Sequence, residues 1–357
     1  MPVIRSVATA LPPHMVPQEV IRDAARAHFA TAFPDIDRYM PVFRHAQIDT
    51  RYFAAPVEWY LAPHSFKECN DLFIAAALDL GEAAAHRCLQ AAGLEPADVD
   101  HLIVVTTTGL AAPSLDALLI NRLGMGGHTR RTPIWGLGCA GGVAGLARAE
   151  EYVRAEPGRR ALLLTVELCS LTFQWNDLSK RNLIAASLFA DGAAAVLVEG
   201  DAARKAGPPD RPSGLAIVAT QSTLWPETAD VMGWDIVDTG MRVVFSSRIP
   251  QIVEALMRPN IAELLAPHGL APDDIDHWIL HPGGAKVIRA YERALGMDPE
   301  RLDRTRAVLR RCGNMSSGTI FFVLEEFLRS GAPGPGEHGV LAVLGPGFSC
   351  ELALVRG

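Results

Sequence analysis

The chain has 357 residues, 49% of them hydrophobic and 20% charged, with a formal net charge of −7. That length allows one large or two ordinary domains with an ample core, and the acidic balance, with no Lys/Arg block beyond pairs such as Arg130-Arg131, argues against a nucleic-acid surface. The closest two of the six cysteines are Cys69 and Cys88, so there is no C-x-x-C metal or redox pair, and no unbroken apolar run reaches the roughly 18 residues of a membrane helix.

Near the N-terminus a lone Arg5 and the break at Pro12-Pro13 speak against a signal peptide, and the cysteines read as reduced thiols of a cytoplasmic protein. Residues 74–92 carry the alanine-rich pattern of a buried helix, and 102–105 read as a buried strand. A glycine-rich stretch, Trp135-Gly136-Leu137-Gly138-Cys139-Ala140-Gly141-Gly142, leads into a helical run at 143–154. Strands are expected at 161–166 and 193–198, the second after a tight turn at Asp191-Gly192. The polar, proline-rich stretch 200–214 is a connector. Beyond it a second set follows, with strands at 215–220, 277–280, 340–344 and 351–355 and helices at 250–265, 285–295 and 319–329. Two α/β halves of similar size suggest structural duplication, although no direct sequence repeat accompanies it.

Three segments carry candidate chemistry. Cys139 stands at the start of a helix, where free N–H groups and the positive end of the dipole lower a thiol pKa, and its glycines leave room for a bulky acyl group. The plain alternative is a small cysteine filling a tight turn. His281 follows the apolar Trp278-Ile279-Leu280 and precedes Pro282-Gly283-Gly284, which places an acid or base at a strand tip. A His277/His281 metal pair would need a helix, since four strand residues span about 13 Å. Asn314, before the helix at 319–329, can cap that helix or offer an amide N–H to an oxyanion. Gly136-Leu137-Gly138-Cys139-Ala140-Gly141 also matches a dinucleotide fingerprint formally. The nearest acid, Glu156, precedes the next strand instead of ending it, so a nucleotide-dependent dehydrogenase is not expected.

Taken together, Gly138-Cys139-Ala140-Gly141-Gly142, His281-Pro282-Gly283-Gly284 and Gly313-Asn314-Met315-Ser316-Ser317 resemble the Cys-His-Asn triad segments of the chalcone-synthase-like, type III polyketide synthases of the thiolase superfamily. Ser187-Leu188-Phe189-Ala190-Asp191-Gly192-Ala193 and the C-terminal Gly345-Pro346-Gly347-Phe348 match as well, so the resemblance spans nearly the whole chain. It implies a thiolase-like α/β fold with a duplicated α-β-α-β-α five-layer architecture. Residues 1–205 would be the half carrying the cysteine, and 206–357 the half carrying histidine and asparagine.

The implied activity is loading of an acyl-CoA starter on Cys139 and its extension by decarboxylative condensation with malonyl-CoA. His281 and Asn314 would stabilise the anionic oxygens, with no metal or other cofactor and with a homodimer as the assembly. Phe189 matches one gatekeeper phenylalanine of the plant enzymes, and Val243 replaces the second. Ala112 stands where those enzymes insert a methionine into the partner's cavity, and Trp234 where they have a cavity glycine, so Trp234 is expected to block part of the ring-forming space. By resemblance Cys169, Thr172, Thr107 and Ser316 also touch substrate, although Cys169 read alone can be a packed core thiol. Gly283 and Gly284 would lie along the pantetheine arm. The basic CoA cluster of the family lies before an element like Arg51-Tyr52, and Arg44 is the best match for it. The combination of Cys169, Trp234 and Val243 looks like bacterial members that make alkylpyrones or alkylresorcinols, or that condense malonyl units alone to tetrahydroxynaphthalene. A β-ketoacyl-carrier-protein synthase of the initiating kind is the nearest rival, but it lacks the Pro-Gly-Gly and Met-Ser-Ser elements.

Overall fold

Aliphatic strands without polar alternation need cover on both faces, and such strands form most of the nine-stranded frame of this chain. The computed structural model describes residues 1–205 and 214–357. Most of the connector, 206–213, where the expected boundary between the halves falls, lies outside the described residues. The strands are β1 (Val3–Ala10), β2 (His101–Thr106), β3 (Arg130–Trp135), β4 (Arg160–Leu168) and β5 (Asp191–Glu199), then β6 (Leu215–Leu224), β7 (His277–Leu280), β8 (His338–Gly345) and β9 (Ser349–Arg356). They hydrogen-bond in the order β7-β8-β9-β6-β1-β5-β4-β2-β3.

The halves join where β1 meets β6, at Val3↔Ala216 and Ile4↔Leu215. Outward from that join, β1-β5-β4-β2 and β6-β9-β8-β7 repeat one pattern: two antiparallel pairings, then a parallel one. Duplication is therefore written in the topology, and β3, parallel to β2, extends the first half alone among the described residues.

Alternate side chains of each strand enter different cores, as the two-residue period requires. Ile103 and Val105 of β2 and Val343 of β8 enter a central cluster with α3 (Gly141–Ala155) and α7 (Thr319–Arg329). Leu102 and Val104 face an outer cluster with α1 (Phe66–Ala92) and α2 (Leu115–Leu123). Ala342 and Leu344 face the opposite outer cluster with α5 (Ile249–Leu265) and α6 (Ala285–Leu295). The result is helix, sheet, helix, sheet, helix: the five-layer, thiolase-like architecture.

Two local expectations are corrected. The helix expected from residue 74, α1, starts at Phe66, because Ser65 and Glu68 form a reciprocal capping box there. No tight turn precedes β5, since Asp191 is already in the strand opposite Leu168. Its carboxylate accepts from the backbone N–H groups of Ala54 and Ser170, both at 2.7 Å. That lets a buried acid sit inside a strand.

Candidate active site

Cys139 occupies a single tight turn, Gly138–Ala140, between β3 and α3. Gly138, Gly141 and Gly142 serve close packing, which corrects the expectation that these positions leave room for an acyl group, while Gly136 has open space beside it. A Cβ on Gly138, whose φ is +50°, would lie 2.6 Å from Pro346 Cδ, and one on Gly142 would lie 2.3 Å from the Ser317 carbonyl oxygen. Gly138 N–H donates to Thr107 Oγ1 at 3.1 Å. Thr107 N–H and Thr108 Oγ1 in turn donate to Glu167 Oε2, each at 2.9 Å, and Ser317 Oγ donates to Glu167 Oε1 at 2.6 Å. Glu167, with its carboxyl pushed up to about 7 by burial, thus ties the turn of Cys139 to the second half of the chain.

The thiol itself is not lowered, and this is a second correction. Burial pushes Cys139 up to about 12, opposed by a hydrogen bond with Ser316 and reinforced by the charge of Glu167. Desolvation outweighs the helix terminus here. Burial also drives His281 down to about 3, and neither of its ring nitrogens has a hydrogen-bond partner among the described residues. A lone thiolate or a lone imidazolium is therefore costly, and proton transfer from one to the other forms both charges together in a net-neutral pair.

Position is set by backbone. His281 N–H donates to Ala342 O at 3.0 Å, which holds the residue at the end of β7. Its neighbour His277 points elsewhere and bonds Glu337 Oε2 at 2.7 Å, so the two histidines share no site. Asn314 is held where α4 (Lys180–Leu188) leads into β5: its N–H donates to Leu188 O at 3.0 Å, and Ala190 N–H donates to Asn314 O at 2.8 Å. It does not cap α7. Its Oδ1 accepts from Ser316 N–H at 2.9 Å while Nδ2 donates to Gly283 O at 3.3 Å, which leaves the second amide N–H for a ligand. Ser316 has φ of +48°, a conformation uncommon for a residue with a side chain.

One cavity of about 650 Å³ is lined by Cys139, His281 and Asn314, and by Cys169, Phe189, Trp234, Val243, Ser316, Gly283 and Gly284. Trp234 and Val243 face each other across a hairpin, Met232–Val237 with Gly240–Phe245. They do more than narrow the cavity. With Cys169 and Phe189 they also wall a second chamber of about 100 Å³, whose far side is Ile21, Ala25, Phe53, Val57 and Leu61, with Thr172 among its residues.

Three residues expected to touch substrate or CoA, Thr107, Thr172 and Arg44, do not line the main cavity. The hydroxyl of Thr107 is occupied by Gly138, and Thr172 Oγ1 donates to Cys169 O at 2.7 Å, beside the smaller chamber. Ala112 is exposed on its own chain, and Arg44 is exposed outside the cavity. The cationic side chains at the cavity are instead Arg181 and Lys286, with His45 beside them, all exposed. None of the three has an acidic partner among the described residues. Sequence reading missed Arg181 and Lys286 because they come from the first turns of two helices, α4 and α6, in different halves, and no local spacing links them.

Comparison with known proteins places these features in a family. Residues 2–202 match the model of the N-terminal domain of chalcone and stilbene synthases, and residues 216–357 match that of the C-terminal domain. The chain is 43% identical to a putative chalcone synthase of Bacillus subtilis (strain 168), covering 99% of this chain and 98% of that protein. It is 42% identical to a 1,3,6,8-tetrahydroxynaphthalene synthase of Streptomyces peucetius subsp. caesius, over 99% and 92% of the two chains. The crystal structure of 1,3,6,8-tetrahydroxynaphthalene synthase from Streptomyces coelicolor, a bacterial type III polyketide synthase, superposes with a TM-score of 0.92 at 31% identity, covering 99% of both chains.

Proposed function

Because this chain belongs to the chalcone and stilbene synthase family and is a type III polyketide synthase, we propose that it is an acyltransferase that loads an acyl-CoA starter on Cys139 and extends it with malonyl-CoA. The observation that carries this reading is the single cavity in which Cys139 from one half meets His281 and Asn314 from the other. His281 takes the thiol proton as the sulfur attacks the thioester carbon, so that thiolate and imidazolium arise together. An N–H of the imidazolium and the open N–H of Asn314 meet the tetrahedral oxyanion, which collapses with release of the CoA thiol. Malonyl-CoA then binds, loses CO₂ to give an enolate held by the same donors, and the enolate carbon attacks the Cys139 thioester, expelling the Cys139 thiolate and leaving the lengthened chain on CoA, from which it returns to Cys139 for the next round. Repeated rounds lengthen the chain, which closes to a ring in the cavity. No metal or redox group enters these steps.

The starter we assign is a medium-to-long aliphatic acyl group, giving alkylpyrone or alkylresorcinol-type products. The chamber behind Cys169, Phe189, Trp234 and Val243, mostly apolar but with Arg51, Ser170 and Asn182 also in its lining, supports this, because each methylene buried there contributes about 0.8 kcal/mol. The phosphates of CoA fall to Arg181 and Lys286 in place of Arg44, and Gly283 and Gly284 flank the pantetheine arm. Exposed Trp135, at the end of the edge strand β3, and exposed Leu110, in the loop after β2, support a homodimer, and six free cysteines fit a reducing cytoplasm. A second reading is tetrahydroxynaphthalene synthesis from malonyl-CoA alone, favoured by the relatives that carry that name.

The test is incubation of purified protein with radiolabelled malonyl-CoA and a panel of acyl-CoA starters, with mass spectrometry of the loaded enzyme. Adduct on Cys139, its loss in Cys139→Ala with the fold retained, and preference for aliphatic starters are expected. Adduct confined to Cys169 or Cys312 overturns the nucleophile. A dominant product from malonyl-CoA alone, with fatty acyl-CoA not loading, replaces the first product reading by the second.

A further inference from the structure

Among the described residues, the buried polar side-chain atoms without a hydrogen-bond partner include both ring nitrogens of His281 and the hydroxyl of Tyr291. Both residues line the cavity of Cys139. Tyr291 lies on α6 four residues beyond Val287, which also lines the cavity, and residues four apart share a helix face. The other buried residues of α6 (Ala285, Ile288, Ala290 and Leu295) present hydrocarbon, and Tyr291 is itself fully buried. Packing alone would be served as well by phenylalanine. A buried hydroxyl left without a partner is a cost, and such a group in a native protein calls for a reason. The reason available here is a ligand atom that arrives during reaction.

We propose that the Tyr291 hydroxyl is a catalytic hydrogen-bond donor to the anionic oxygen that forms over Cys139, alongside His281 and Asn314. The assignment deepens the polyketide synthase reading and rests on it. Burial first, and then the nearby thiols of Cys350 and Cys139, raise the phenol well above its usual range, so the oxygen keeps its proton wherever the enzyme works. A donor aimed at charge present in the transition state lowers kcat when removed and leaves KM nearly alone.

The experiment compares Tyr291→Phe with the wild type in three measurements: thermal midpoint, steady-state kcat and KM for malonyl-CoA, and the rate of acyl loading on Cys139 by intact mass. The variant is expected to melt at the same temperature or higher, because an unsatisfied group has been removed. Its kcat and loading rate are expected to fall about 10- to 100-fold, as for loss of one hydrogen bond to a charged group, with KM within about twofold. Wild-type kcat and loading in the variant overturn the proposal. So does a midpoint several degrees lower with KM raised in step, which marks a packing hydroxyl. If the wild type loads acyl groups but makes no polyketide, the synthase reading falls while the loading ratio still judges Tyr291. A wild type that does not load overturns both.

Discussion

His281→Gln isolates what burial does to the nucleophile. Cys139 stands at about 12 against an ordinary 9.0, a shift made mainly by desolvation, and each unit is a tenfold change in the thiolate population. At a pH of about 7.5 an ordinary thiol of that kind is roughly 3% thiolate, whereas the solitary Cys139 thiol is about a thousandfold less ionised. In the proposed mechanism the wild type escapes that limit by handing its proton to His281, which would leave a neutral ion pair in place of a lone charge. Glutamine keeps the approximate shape and takes away the acceptor. The assay is carbamidomethylation of Cys139 by iodoacetamide from pH 6 to 10, followed by peptide mass spectrometry with free thiol as the standard. The variant is expected to label about 10³-fold more slowly than the standard near neutral pH. Its rate is expected to climb about tenfold per pH unit without a plateau, because the raised pKa keeps the thiol protonated until the medium approaches it. A variant that labels as fast as the wild type and levels off below pH 8 would refute the reasoning, since the helix terminus would then generate the thiolate unaided.

Asn314→Ala is expected to suppress malonyl-CoA decarboxylation by about 10²–10³ with far less effect on acyl loading, as for removal of one oxyanion donor; equal losses in both half-reactions contradict that division. The double variant Arg181→Gln, Lys286→Gln is expected to raise KM for acyl-CoA about tenfold at low salt and to leave KM for the matching acyl-pantetheine unchanged, because only CoA carries the nucleotide phosphates. An equal rise for both thioesters removes the two residues from phosphate binding. Val243→Phe is expected to shorten the accepted starter in a chain-length panel, as a ring opposite Trp234 narrows the wall shared with the apolar chamber; an unchanged preference means that the alkyl tail lies elsewhere.

Several features were legible in the chain itself because local chemistry specifies them. Runs such as Leu102, Ile103, Val104 and Val105 exclude solvent on both faces and so demand a strand between helices. The turn at Gly138 and Cys139, the strand end at His281 and the loop at Asn314 announced themselves by residues that break regular structure. Other features depended on contacts between segments far apart in sequence. The glycines beside Cys139 looked like space for substrate, yet Pro346, Val105 and Ser317 fill that space. The cations of the cavity come from residues 181 and 286, and the unpartnered hydroxyl from 291, none of which carries a local signal. Above all, the helix terminus that sequence reading invoked for a low thiol pKa is outweighed by desolvation. The residue types and their spacing along the chain thus determined which groups can react. Their charge states were decided by how much water the folded halves exclude, because the cost of an ion depends on every neighbour that replaces its solvent.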